Sequence, residues 1–248
     1  MTHTDEYTRI FSEKQRILVV MAHPDDAEIY CGGTIARLRH DNKKVMVVKM
    51  TVGNKGSRQE KISEQELGEL REREDAKAME VLGVSKEYTA CLKIGDGSVE
   101  NDIPTIGLVA KQIRIFQPEL IITHNPEDMI IRFDQDVNWV NHRDHRNTGK
   151  TAIDAAYPYS RDLLFFPEHF QDPKTESHAV SEFLLVDYYD HKDTVHIDMT
   201  AFAETRTKAI AAHQSQYPQK KAQDSTDFFT KLDDSGKRYE RFRYVVAD

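Results

Sequence analysis

The sequence predicts an α/β fold: a Rossmann-like arrangement in which a mostly parallel central sheet is flanked by helices. Three observations carry that prediction. Short apolar runs alternate with charged stretches of helical spacing. The runs are near-continuous in Val, Ile and Leu, the composition of strands buried on both faces. Polar loops follow the first two runs, as they do at the C-terminal edge of such a sheet. At 248 residues, 39% hydrophobic and 31% charged, the chain is long enough for one sizeable core. No repeat, low-complexity tract or linker interrupts it, so one domain over 1–248 is expected.

Each element has its own signal. Residues 1–15 are polar and expected at the periphery, and Arg16–Ala22 reads as a buried strand. Between Asp26 and His40, apolar Ile29, Ile35, Ala36 and Leu38 fall near helical spacing, and Asp41-Asn42 ends that helix. Val45–Thr51 is a second strand running into a Gly53–Ser57 loop. From Gln59 to Leu82 a charged helix carries a stripe of Ile62, Leu67, Leu70, Ala78, Met79 and Leu82, with Gly83 as its C-terminal cap. Tyr88–Ile94 is a short strand closed by the Gly95-Asp96-Gly97 turn. Ile103–Phe116 is a helix stopped by Pro118, and Glu119–His124 is another central strand; this alternation implies right-handed crossovers. Residues 125–141 form a long loop at the same edge. The stretch 141–156 enters a helix, 157–180 with its three prolines is expected to rim the pocket mouth, and 182–187 and 239–246 read as strands around a 201–213 helix.

Composition narrows the function. A net charge of -8 argues against binding that depends on neutralising nucleic-acid phosphates. No apolar stretch approaches the roughly 20 residues of a membrane span, so no membrane anchor is expected. Cys31 and Cys91 make no disulfide framework and the N-terminus lacks an apolar leader core, which fits a cytoplasmic setting.

The chemistry concentrates in two clusters. In Ala22-His23-Pro24-Asp25-Asp26-Ala27-Glu28, Pro24 keeps His23 extended at a strand tip, so His23 and Asp26 can turn to one point. An imidazole and a carboxylate are two thirds of a hydrolytic metal site, and the spare Asp25 is placed to take a proton from a water held there. The plainer reading is that both aspartates cap the next helix. The second cluster, Asn141-His142-Arg143-Asp144-His145-Arg146, weakens that reading because it supplies a missing ligand, a helper and a carboxylate to fix an imidazole. A helix start there favours the neutral imidazole that a metal needs. His124 also ends a strand, and is read as a core or edge histidine.

Together the clusters resemble the LmbE/PIG-L family of zinc-dependent N-deacetylases, whose signatures are AHPDD(A/E) after the first strand and an HPDH-like stretch later. Thr51-Val52-Gly53-Asn54-Lys55-Gly56-Ser57 is similar to the family's TxGxxGS loop, and Arg71-Glu72-Arg73-Glu74 adds to the match, with weaker support at 93–97 and 208–216. Two positions depart from it: Arg143 stands where Pro is usual, and Val140 where some members carry Tyr. The resemblance implies Zn²⁺, or another divalent metal, on His23, Asp26 and His145, with Asp25 as general base, His142 at the oxyanion and Asp144 holding a histidine. It also implies Arg71 and Asp96 at the substrate, an N-acetylated amino sugar of N-acetylglucosamine type, and a homo-oligomer, trimer or hexamer. An amidase releasing a larger acyl group and a non-catalytic sugar-binding metalloprotein are the competing readings. A nucleotide-binding protein is disfavoured, because no GxGxxG is present and acids at the strand tip repel a pyrophosphate.

Overall fold

The computed structural model describes residues 2–57 and 61–247. Seven strands form the main sheet: β1 (Arg16–Met21), β2 (Lys44–Thr51), β3 (Thr89–Ile94), β4 (Leu120–Thr123), β7 (Glu182–Leu185), β8 (Thr194–Asp198) and β9 (Tyr239–Val246). Their order is β3-β2-β1-β4-β7-β9-β8, parallel from β3 to β7, with β9 antiparallel to both of its neighbours. The mostly parallel α/β prediction holds. Alternation along β1 shows why the run is apolar throughout: Ile17, Val19 and Met21 enter the core on one face, Leu18 and Val20 the core on the other.

The helices are α1 (Tyr7–Phe11), α2 (Asp26–His40), α3 (Glu64–Val81), α4 (Ile103–Phe116), α5 (Arg143–Asp154), α6 (Ala203–Ala212) and α7 (Gln219–Phe229). β1 pairs with β2 on one side and β4 on the other, so the chain order reverses between β1 and β4. In open parallel sheets the crevice beyond such a reversal is where sites form. Here it receives His23 from β1 and His124 from β4.

Two packing details fix that crevice. α5 runs so close to the tip of β4 that a Cβ on Gly149 would lie 2.4 Å from the His124 carbonyl oxygen. Helix α2 breaks at Cys31 (φ -145°). The N–H groups freed there, on Gly33 and Thr34, donate to the buried Glu240 carboxylate at 2.8 and 2.7 Å. Arg206, fully buried beside Glu240 at 3.2 Å, neutralises that charge and donates onward to Ile29 and Thr226.

Several expectations need correction. The N-terminal segment is not merely peripheral, because α1 inserts Ile10 and Phe11 at 1% and 0% exposure. The long helix begins at Glu64, fixed by a capping box between Ser63 and Glu66; Gln59 lies outside the described residues. The 125–141 loop contains a hairpin, β5 (Ile130–Arg132) against β6 (Asn138–Val140). Segment 157–180 packs on α4, where buried Arg114 gathers the carbonyls of Tyr159, Ser160, Asp162, Phe165 and Phe166. β8 and α7 form in stretches where the sequence pattern predicts no element.

Gly149→Ala forces α5 off β4, and we expect a loss of roughly 1–3 kcal/mol in chemical denaturation, the usual cost of overpacking. A change within about 0.5 kcal/mol, the range of neutral surface substitutions, would show that the close approach is not rigid.

Candidate metal centre and active site

β1 ends at Met21, and the Pro24 turn carries His23 and Asp26 into the crevice. Asp25 adopts φ 97° and makes no capping hydrogen bond to α2. Asp26 instead accepts the His23 N–H at 2.8 Å through Oδ2. The capping reading of the pair therefore fails. A left-handed backbone at a non-glycine residue is strained, and here it turns the two adjacent carboxylates in different directions.

Asp26 faces three imidazoles. His23 Nδ1 lies 3.4 Å from Oδ2, His124 Nε2 3.3 Å from Oδ2, and His145 Nε2 3.4 Å from Oδ1. His124 and His145 stack at 4.0 Å. Burial opposes ionisation of Asp26, but these histidines hold it well below the usual carboxylate range. Burial pushes His145 down to about 4 and also lowers His124. Burial lowers His23 as well, but hydrogen bonds to Asp144, Asp26 and Asp96 raise it well above the ordinary value.

These spacings are long for hydrogen bonds, which prefer 2.7–3.2 Å. They fit ligands around an ion, since tetrahedral coordination with bonds of 2.0–2.1 Å sets donor atoms about 3.3 Å apart. Among the described residues four groups have all donor atoms within 4.8 Å: His23, Asp96 and Asp144; Glu28, Asp75 and His213 behind the site; and two more at its centre, His23, His142 and His145, and Asp26, His124 and His145. These last two share His145. Within the triple expected as ligands, Asp26 turns Oδ2 to His23 Nδ1 and Oδ1 to His145 Nε2. The donor set thus fits a divalent metal, with His145 already in the neutral form that coordination requires.

Asp25 is buried against Arg71, whose Nη2 lies 2.9 Å from its Oδ2. Burial pushes the Asp25 carboxyl up to about 7, against the pull of Arg71. Arg71 also donates to the carbonyls of Gly53 and Pro24. The close fit explains Gly53, which has φ 65° and whose Cβ would strike Arg71 at 2.3 Å. His142 sits at the N-cap of α5, where its Nδ1 accepts the Asp144 N–H at 3.2 Å. That contact selects the neutral tautomer with its proton on Nε2. Burial and the neighbouring His23 and His145 lower its affinity for a second proton.

The histidine that Asp144 reaches is His23, with its Oδ2 3.3 Å from Nε2. Its carboxylate also accepts from Gly97 N–H at 2.7 Å and Val99 N–H at 3.3 Å. Arg143 braces the same turn through the Gly97 and Val99 carbonyls, which is what this residue does in place of Pro. Asp96 accepts the Lys55 N–H at 2.7 Å and lies 3.4 Å from His23 Nε2.

A cavity of about 360 Å³ is lined by His23, Asp25, Lys55, Gly56, Arg71, Asp96, Gly97, His142 and His145. Asp26 and Asp144 are buried and do not line it. No residue of 157–180 lines it, and neither does Val140, which is 72% exposed on β6. A larger cavity of about 690 Å³ between α3 and β3 contains none of these groups. His124 was visible as a strand-tip histidine; its contact with Asp26 was not. Behind the site, His213 Nε2 meets Glu28 at 3.0 Å, both fully buried, and Lys49 pairs with Asp75 at 2.9 Å. The signals for that cluster were Glu28 in the first motif and the 208–216 match.

Residues 18–156 match the family described as PIG-L, GlcNAc-PI de-N-acetylase. Diacetylchitobiose deacetylase of Thermococcus kodakarensis is 27% identical over 209 residues, covering 84% of this chain and 73% of that protein. Mycothiol S-conjugate amidase of Streptomyces coelicolor is 26% identical over 254 residues, covering 83% of each. Among solved structures, N,N'-diacetylchitobiose deacetylase from Pyrococcus horikoshii, in complex with its inhibitor MPG, aligns with a TM-score of 0.79 at 26% identity, over 97% of this chain and 91% of that one. With the matched span carrying both motifs from β1 through α5, the chain belongs to the PIG-L (LmbE) family.

Proposed function

We propose that this protein is a metal-dependent amide hydrolase that removes the N-acetyl group from an N-acetylglucosamine-type sugar or sugar conjugate. The observation that carries the reading is the pairing, around one cavity, of a low-pKa carboxylate among imidazoles with a second carboxylate raised to about 7. Family membership and relatives named as deacetylases and an amidase support the reaction class.

His23, Asp26 and His145 would hold a divalent metal, for which zinc suits the nitrogen and oxygen donors. When bound, it would bring the pKa of a water to about 7 and polarise the amide carbonyl. Asp25 takes the proton from the attacking water and passes it to the leaving amine. Arg71 fixes the orientation of Asp25. His142 donates its Nε2 proton as a hydrogen bond to the developing oxyanion, and does so neutral, because Nδ1 is already an acceptor. Asp144 keeps His23 in place. Arg71 and Asp96 line the cavity, which supports assigning them to the sugar. The products are acetate and a free amine.

Acetate release from N-acetylglucosamine and its short oligomers tests the reaction. For Asp25→Asn we expect kcat to fall roughly 10²–10⁴-fold with metal content unchanged; near-wild-type turnover removes Asp25 as the base. His142→Ala should lower kcat about 10²–10³-fold with little change in KM. A raised KM at unchanged kcat would instead make His142 a ground-state binder.

A further inference from the structure

Behind the catalytic turn, three segments are joined in a closed ring by side-chain hydrogen bonds. Arg71 Nη2 on α3 donates to Asp25 Oδ2 at 2.9 Å. Three residues further along α3, Glu74 accepts both the N–H and the hydroxyl of Ser215, at 2.8 and 2.6 Å. Ser215 lies in the turn after α6, two residues beyond His213, and that turn is itself fixed because the His213 carbonyl accepts the N–H groups of Gln216 and Tyr217, at 2.9 and 2.7 Å. His213 Nε2 meets Glu28 Oε1 at 3.0 Å. Glu28 stands on the first turn of α2, three residues after Asp25, which closes the ring. Spacing of three puts both members of each helical pair on one face. Asp25, Glu28, Arg71, Glu74 and His213 are all buried. Glu28, Asp75 and His213 come close enough to share an ion, but the buried Lys49 ammonium, 2.9 Å from Asp75, is already the cation among them.

Glu28, Glu74, His213 and Ser215 do not line the catalytic cavity. What their ring encloses is a strained residue, since Asp25 has φ 97°. A left-handed backbone at a non-glycine residue persists only where its surroundings over-determine it. Arg71 fixes the end of the Asp25 side chain, and His213, through Glu28, fixes the backbone that follows. The Glu74–Ser215 link keeps those two anchors from moving apart. Resting on the reading of Asp25 as general base, we propose that Glu28, Glu74, His213 and Ser215 are positioning residues for that base, acting through Arg71 and the first turn of α2. When a link of the ring is broken, Asp25 loses its aim. Asp26 keeps its place, because the His23 N–H and the imidazoles of His124 and His145 hold it separately.

The test compares acetate release from N-acetylglucosamine and its short oligomers by wild type, Glu74→Met and Glu74→Gln, each also in the Asp25→Asn background. Met keeps the length and helix preference of Glu but accepts no strong hydrogen bond from Ser215, whereas Gln keeps an acceptor. Glu74→Met is expected to lower kcat roughly 10–100-fold, the order of loss that a misplaced catalytic group produces, with KM and divalent-metal content unchanged. Glu74→Gln is expected to stay within threefold of wild type. In the Asp25→Asn background Glu74→Met should cost twofold or less, because the group it aims is already gone. An equal loss in both backgrounds, a loss shared by Glu74→Gln, or a fall in metal content alongside kcat would make Glu74 a general structural residue and overturn the proposal, as would an unchanged rate. Where Glu74→Met does not fold, Ser215→Ala carries the same comparison, with kcat at least threefold lower expected and wild-type kcat overturning it. If wild type releases no acetate, the hydrolase reading fails by itself and hydrogen exchange decides the ring. The Ile29 N–H, bonded to the Asp25 carbonyl at 3.0 Å, should then exchange at least tenfold faster in Glu74→Met than in wild type while the amides of β1 keep their rates; equal exchange at Ile29 overturns the proposal.

Discussion

A buried carboxylate surrounded by imidazoles is the constraint to which the rest of this structure answers. Asp26 is 5% exposed and meets nitrogen atoms of His23, His124 and His145 at 3.3–3.4 Å. A desolvated carboxylate is costly unless compensated, and here the His23 N–H at 2.8 Å and the three imidazoles compensate it enough to hold it ionised. The elements around it serve to keep these groups converging. β1 and β4 bring two of the histidines to the reversal point of the sheet, and α5 is pressed against the β4 tip at Gly149 to bring the third. Asp144 links the α5 terminus to His23 and to the 97–99 turn, so one carboxylate ties three segments together.

The neighbouring carboxylate lives in the opposite environment. Asp25 and Asp26 are adjacent in sequence, yet one is pushed up to about 7 while the other is held far down. Backbone geometry makes this separation: the left-handed turn at Asp25 aims it at Arg71 and the cavity, and leaves Asp26 to the histidines. Two titratable groups driven apart by their surroundings are how a site divides base from ligand. Arg71 has a structural part in this, since its three partners, Gly53, Pro24 and Asp25, join the loop after β2 to the motif after β1.

Much of this was legible in the chain. The apolar runs fixed the parallel strands because strands buried on both faces have little choice of composition. The motif after β1 was legible because proline and paired acids at a strand tip restrict what the turn can do. Harder to read were features set by long-range packing. Helix α1 is short and lies in a polar stretch, and only Tyr7, Ile10 and Phe11 betray that it joins the core. The 157–180 segment was assigned to the pocket mouth from its prolines and aromatics. Its position is decided instead by Arg114, a buried residue of α4 that donates to five of its carbonyls. The role of His124 turns on a contact with Asp26 almost a hundred residues away, which no local pattern reports.

Asp26 is proposed as the centre of a metal site. The most direct measurement is the stoichiometry and affinity of divalent metal, by elemental analysis and chelator competition, in wild type and Asp26→Ala. One ion per chain in wild type, bound roughly 100-fold or more weakly in the variant, is the predicted result. Wild-type protein that takes up no divalent metal, or a variant that binds it with undiminished affinity, would contradict the account.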